Sequence, residues 1–151
     1  MEVRVTHLDS LTPSLLAPLL VESEQEGWRF VRRLADEWTA ASNRFDRPGE
    51  QLFAAWSGNV LVGICGLNID PYAADPTVGR VRRLYVAREA RGCGVGAALV
   101  RAILQAARGH FRMLRVRTEN AAASRLYERL GFAAVVSITD CTHVLTLGPE
   151  A

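Results

Sequence analysis

A chain of 151 residues, 49% hydrophobic and 23% charged, has material for one buried core and too little length for two comfortable domains. All 18 basic residues are arginine, so the lysine that a P-loop turns on its phosphates has no candidate. Residues 1–78 hold 6 Arg against 11 Asp and Glu, a balance of −5, and residues 79–151 hold 12 against 5, a balance of +7; the split suits one cationic and one anionic ligand, or a solvated surface.

The opening "MEVRVTHL" alternates and predicts a strand. From Thr12 to about Thr39 the pattern is helical, as two helices broken near Gly27. "QLFAAWSGNVLVGICGLNI" reads as two strands joined by a hairpin at Ser57-Gly58-Asn59. "DPYAADPTVG", with two Asp-Pro pairs and a closing Gly79, predicts a loop, and "RVRRLYVA" the next strand. A helix then runs to about Arg108, with Gly109 as its stop. "FRMLRVRT" predicts a strand, "AAASRLYERL" a helix ended by Gly131, and "FAAVVSI" and "THVLTLG" a closing pair of strands. The order β-α-α-β-β-β-α-β-α-β-β predicts one α/β (α+β) domain over 1–151, a mixed sheet with helices packed on it.

The stretch "RGCGVG" at 91–96 places three glycines at the opening of a good helix. The first N–H groups of a helix lack intrahelical partners, and the helix dipole favours negative charge there. Glycines let that backbone approach phosphate oxygens, and Arg88 and Arg91 add fixed charge at the rim. A tight strand-to-helix connection needing glycine for geometry alone is the competing reading. "GCGVGA" also fits the dinucleotide fingerprint G-x-G-x-x-G/A. That reading is weaker, because "AREAR" separates Val86 from Gly92 and "MLRVR" has no acid where the ribose would need one.

"LYVAREARGCGVGAALV" resembles the acetyl-CoA signature of the GNAT superfamily of N-acetyltransferases, with Arg91, Gly94 and Gly96 at its Arg/Gln-x-x-Gly-x-Gly/Ala positions. "NAAASRLYERLGF" is similar to that family's second signature through Asn120, Ala123, Leu126, Tyr127, Gly131 and Phe132. The resemblance covers nearly the whole chain and implies a mostly antiparallel central sheet flanked by helices. It implies acetyl-CoA as acetyl donor, its pyrophosphate on the backbone of Arg91, Gly92, Cys93, Gly94, Val95, Gly96 and Ala97. It implies the pantetheine arm along Leu84, Tyr85 and Val86, in the manner of strand addition. Asn120 matches the family's polar contact to the arm; it also reads as the N-cap of the next helix.

The resemblance implies direct transfer to an amine in a ternary complex, where holding both substrates together supplies much of the rate. Backbone N–H groups of the strand could polarise the carbonyl. Tyr127 matches the acid that protonates the leaving thiolate, a phenol of ordinary pKa about 10. It also reads as a core aromatic beside Leu126 and Leu130. Some family members carry a glutamate near the start of the signature strand, where this chain has Arg80, Arg82 and Arg83. That leaves Glu24, Glu26, Asp70, Asp75 or water relays as the base, with Glu119 a further acid near the site.

The acceptor, a primary amine of a small molecule or a protein, is expected between the two N-terminal helices, the 70–79 loop and the final hairpin. Glu22, Glu24, Glu26, Asp36, Glu37, Asp70, Asp75 and Asp140, with Trp28 and Tyr72, suit a cation there. Cys93 has no histidine placed as its base, so a thiol nucleophile is not expected. Cys65, Cys93 and Cys141 form no C-x-x-C pair, and His7, His110 and His143 have no ligand spacing, so free thiols and no metal are expected. No secretory signal or membrane-length apolar run is read, and aromatics are too few for a nucleic-acid surface. Cytoplasmic residence follows, with a homodimer admissible. A catalytically inactive CoA-binding module is the second functional reading and a dinucleotide-binding domain the third.

Overall fold

A computed structural model describes residues 1–148; the last three residues of the expected 1–151 span lie outside the described residues. The elements run β1 (Arg4–His7), α1 (Pro13–Gln25), α2 (Phe30–Thr39), β2 (Gln51–Ser57), β3 (Val60–Ile69), β4 (Val78–Val86), α3 (Val95–Ala107), β5 (Met113–Val116), α4 (Ala121–Arg129), β6 (Ala133–Ala134) and β7 (His143–Thr146). They form one seven-stranded sheet in the order β1-β2-β3-β4-β5-β7-β6. Among the described residues only β4 and β5 run parallel, and the other pairings are antiparallel. This is the mixed, mostly antiparallel sheet that the resemblance implied, and not the doubly wound parallel sheet of a dinucleotide domain.

Alternation along the strands builds two cores. Leu52, Ala54 and Ile64 pack with Leu16 and Leu34 of α1 and α2. Ala55, Cys65 and Val81 pack with Leu99, Val100 and Ile103 of α3 and Tyr127 of α4. A side-chain period of two delivers neighbouring residues to opposite faces, so the sheet is buried on both.

Several strands are shorter than the sequence reading has them, and two differences change what a segment does. β4 starts at Val78, so Gly79 lies inside a strand and does not close a loop. A Cβ there would meet Leu114 Cδ2 at 2.8 Å and Phe111 at 3.0 Å, so the glycine admits a neighbouring element and makes no turn. β6 shrinks to Ala133–Ala134, both exposed, while Val136 beyond it is fully exposed. An edge strand with only small side chains has little apolar surface to fix it, and Phe132, buried on the α3 core, anchors the segment instead.

Candidate active site

The parallel pairing of β4 with β5 runs from Val78↔Met113 to Val81↔Val116 and stops, while β4 continues to Val86. From Arg82 onward β4 is held only on its β3 side, and one edge of its backbone opens into a cleft. A β-bulge lies at the same place: Ile64 pairs with Tyr85 and Gly66 with Arg82, so Arg83 and Leu84 face Cys65 alone. Arg83 takes φ +63 there, a left-handed value that costs a non-glycine residue about 1–3 kcal/mol. Its guanidinium is held by Glu37 Oε1 at 2.7 Å, which locks the bulge against α2.

β4 leads through a short 3-10 turn, Arg88–Ala90, into the glycine turn. Gly92 and Gly94 adopt φ +76 and +81, and Gly94 is the N-cap residue of α3 with no side-chain cap. Ala98 N–H bonds Gly94 O at 3.0 Å, so Val95, Gly96 and Ala97 stand in the first turn with N–H groups free of helical partners. No acidic side chain occupies that turn. A Cβ on Gly94 would meet nothing within 4 Å, so the space in front of the turn is open to an anion. Gly96 serves differently: a Cβ there would lie 3.1 Å from Leu126 Cδ2, so its bareness lets α3 and α4 approach.

A cavity of about 1100 Å³ joins the cleft to the turn. Leu84, Tyr85, Val86, Arg91, Gly92, Gly94, Val95, Gly96, Ala97, Asn120 and Tyr127 all line it. Cys93 does not; its exposed thiol lies 3.7 Å from Arg91 O. Asn120 caps α4, its Oδ1 accepting from Ala123 N–H at 3.0 Å, so the cap uses the oxygen of the amide and not its NH2. The Tyr127 ring stands edge-on to Phe132 at 5.3 Å, and its hydroxyl takes no hydrogen bond among the described residues. Burial, with Cys65 adding a smaller effect, pushes its phenol well above the ordinary value.

The acids and arginines are arranged otherwise than the sequence reading expected. Glu26 receives Arg91 Nη1 at 2.9 Å and Nη2 at 2.6 Å, a two-pronged pair between α1 and the glycine turn. Arg91 also donates from Nε to Val86 O at 3.0 Å. The Tyr85 hydroxyl lies 2.8 Å from both Glu22 Oε1 and Glu26 Oε1, and Glu22 accepts the Arg88 backbone N–H at 2.7 Å. Arg91 is therefore a brace for the turn and not a free phosphate contact. The Arg91 bonds hold the Glu26 carboxyl down at about 2, with Tyr85 and Arg88 adding to the effect. The signal was present in sequence: Glu22 and Glu26 are four apart on one helix face, and Arg88 and Arg91 three apart.

A carboxyl with its folded pKa below its unfolded value of 4.5 stabilises the fold above that value, and the contribution is lost as pH falls towards about 2. Glu26→Gln is expected to lower the melting temperature at pH 7, with the gap to wild type closing over that window. Melts recorded across the window test this; a gap independent of pH would assign the effect to packing.

The other candidate bases are also committed. Glu24 pairs with Arg32 at 2.9 Å on the outer face of α1. Asp70 is fully buried against Arg80 at 3.4 Å, and Asp75 is held by Thr77 and Arg112, its carboxyl at about 2. Of the four, only Glu26 lines the cavity. Glu119 lines it too, exposed and 3.5 Å from Arg117. Of the eight acids expected at the acceptor rim, Glu26 alone lines this cavity among the described residues. The mouth near α2 is lined by Trp28, Arg29, Phe30, Arg33, Tyr72 and Arg82.

One polar cluster escaped the sequence reading. His143 Nε2 lies 3.1 Å from Ser124 Oγ and 3.0 Å from Glu128 Oε2. Serine and carboxylate reach the same ring nitrogen while Thr142 Oγ1 lies 2.8 Å from Nδ1, so no carboxylate stands across the imidazole from the serine, and the set ties α4 to β7. Among the described residues no group of three potential ligands could hold a metal ion, and no helix is long and apolar enough to cross a membrane.

A mixed sheet opened between its two parallel strands, with a donor-lined turn at the opening, defines the acyltransferase type of α/β fold. The chain belongs to the acetyltransferase (GNAT) family, whose model matches residues 16–132. A structure from Exiguobacterium sp. 255-15, assigned as an acetyltransferase, is 31% identical with a TM-score of 0.86, covering 97% of this chain and 94% of that one. The yncA protein of Salmonella typhimurium, solved with its cofactor acetyl-CoA, shares the fold at 17% identity and a TM-score of 0.66, covering 99% and 96%. N-alpha-acetyltransferase RimI of Mycobacterium tuberculosis H37Rv is 37% identical over 102 residues, 66% of this chain and 64% of that one. The matched region thus spans under two thirds of that relative.

Proposed function

We propose that the protein is an N-acetyltransferase that moves the acetyl group of acetyl-CoA to a primary amine by direct attack in a ternary complex. The observation that carries this is the single cavity bordered by the free N–H groups of the turn, the open edge of β4 and Tyr127. Acetyl-CoA supplies the acetyl group as an activated thioester. Gly92 to Ala97 hold its pyrophosphate through backbone N–H groups, Cys93 through its backbone alone, while Arg91, its own N–H on Arg88 O at 3.3 Å, braces the turn. The open edge at Leu84, Tyr85 and Val86 pairs with the amide groups of the pantetheine arm. The Asn120 amide NH2 donates to the same arm, since only its oxygen is used by the cap.

The free backbone donors of the splayed strand stabilise developing negative charge on the carbonyl oxygen. Tyr127 delivers the proton to the departing sulfur; burial keeps its phenol protonated through the working pH range. Glu26, held at about 2, is a poor base, so the amine releases its proton to water in the open cavity. The RimI relative, an N-alpha-acetyltransferase, supports an amine acceptor, on a small molecule or a protein. The three free cysteines are in keeping with a reducing compartment, and cytoplasmic residence is part of the proposal.

The test is thermal. Acetyl-CoA in large excess over its dissociation constant is expected to raise the melting temperature, because a ligand of the native state alone stabilises it by about 2.7 kcal/mol at a hundredfold excess. NAD at the same concentration is expected to do nothing. A panel of amines then separates a transferase from an inactive CoA-binding module, which would bind and acetylate none.

A further inference from the structure

The cavity wall near α2 holds a cation, Arg82, with no ion pair of its own among the described residues. Arg80 and Arg82, two apart on β4, point to the α1/α2 face, while Val81 between them faces α3. The carboxylates nearby are already taken: Asp70 by Arg80 at 3.4 Å, and Glu37 by Arg83 at 2.7 Å. Arg80 further donates to the Asp140 carbonyl and stacks over the Tyr72 ring at 4.8 Å. Arg82 is left, half-buried, with neither a carboxylate within ion-pair distance nor a hydrogen-bond partner among the described residues. Burial, then Arg83, pulls its pKa below the ordinary arginine value, against a smaller opposing pull from Glu37, whose carboxylate is bonded to Arg83.

Arg82 and Tyr72 line both the large cavity and a smaller one of about 380 Å³, which Glu37, Arg47, Ser42 and Asn43 also line. Arg29, the N-cap residue of α2, and Arg33, one turn further on, are exposed and also line the large cavity. The pyrophosphate turn does not explain these charges. Arg82 precedes Val86 by four strand residues, roughly 13 Å, and the turn lies farther still. A half-buried guanidinium without a counterion is costly to the free protein and becomes favourable when an anion with matching geometry arrives.

We propose that the acceptor carries a carboxylate close to its reacting amine and that Arg82, aided by Arg29 and Arg33 of the same cavity, binds that carboxylate. The proposal rests on the acetyl-transfer reading and names the substrate class of the same site. Two sources share this chemistry: the α-carboxylate of a free amino acid, and an acidic side chain next to the N-terminus of a peptide. In both, the arginines would orient the acceptor by its carboxylate while the amine faces the thioester. The preference would come from a two-pronged, charge-assisted contact in a cavity partly shielded from water.

The experiment uses two pairs of probes with the whole protein in the presence of CoA. Ala-Asp-amide is compared with Ala-Asn-amide, and alanine with alaninamide, by binding calorimetry; turnover with acetyl-CoA is added for the peptide pair. The acid member of at least one pair is expected to bind about 10- to 100-fold more tightly, the range of a hydrogen-bonded charge, and the pair that shows it identifies the source. In Arg82→Gln the ratio is expected to fall toward one, and in Arg82→Lys to be partly kept. Arg82→Gln should melt at or above the wild-type temperature, since it removes a charge with no partner; a purely structural arginine would instead leave a less stable protein with its ratio intact. Acetyl-CoA affinity, measured on the same samples, reports separately on the transfer reading. Equal binding of acid and amide in both pairs, or a preference that survives Arg82→Gln, overturns the proposal even where acetyl-CoA binds.

Discussion

Tyr127→Phe is expected to turn over about 100-fold more slowly or worse, while its melting temperature and acetyl-CoA affinity stay at wild-type values. Phenylalanine keeps the ring, and with it the edge-on contact to Phe132 at 5.3 Å and the tilted one to His143 at 6.3 Å. The hydroxyl takes no hydrogen bond among the described residues, so its removal leaves no protein donor or acceptor stranded. Stability and catalysis therefore separate cleanly at this position. A residue kept only for packing would change neither. Burial places the phenol titration above the ordinary tyrosine range, so any fall in wild-type rate that Tyr127 controls should appear only at high pH and be missing in the variant. Wild-type turnover by Tyr127→Phe on the true acceptor would leave water to protonate the thiolate and return Tyr127 to the core.

What the sequence made legible was local. The order of elements, the hairpin at Gly58 and the helix opened by Gly94 each depend on periodicity or on the dihedral freedom of a few neighbouring residues. What stayed hidden depended on distant partners. The charge imbalance between the two halves suggested two ligands of opposite sign. Much of it is instead internal: Glu22, Glu26 and Glu37 of α1 and α2 meet Arg88, Arg91 and Arg83 of β4 and the turn. The helices are thereby fastened to the strand that opens. Only once those pairs are drawn does Arg82 stand out, because a missing counterion is a property of the whole neighbourhood. Gly79 and Arg83 teach the same lesson in backbone form. Gly79 has the sequence context of a turn and is a packing contact inside a strand. Arg83 sits in an ordinary strand pattern and carries a positive φ at the bulge.

Gly94→Val is expected to cost acetyl-CoA about 10- to 100-fold in affinity, through one or two lost bonds to a charged group. The added side chain projects into the open space in front of the turn, where nothing of the protein lies within 4 Å. A further effect must be subtracted. Valine at φ +81 strains the backbone by about 1–3 kcal/mol, which in a chain of this size lowers the melting temperature on the order of 5 °C. Gly58→Val supplies the control: it sits at φ +59 in the β2–β3 hairpin, also with nothing within 4 Å of a Cβ, and it does not line the cavity. The two variants should lose similar stability without ligand, and only Gly94→Val should lose acetyl-CoA. Gly96→Val makes a third, distinct case, because its Cβ would press on Leu126 at 3.1 Å and so disturb the neighbour of Tyr127. Its loss is expected in turnover as well as affinity. Equal acetyl-CoA affinity in folded Gly94→Val and Gly58→Val would mean that the glycines of the turn serve the chain's geometry alone, and that the phosphates are held elsewhere.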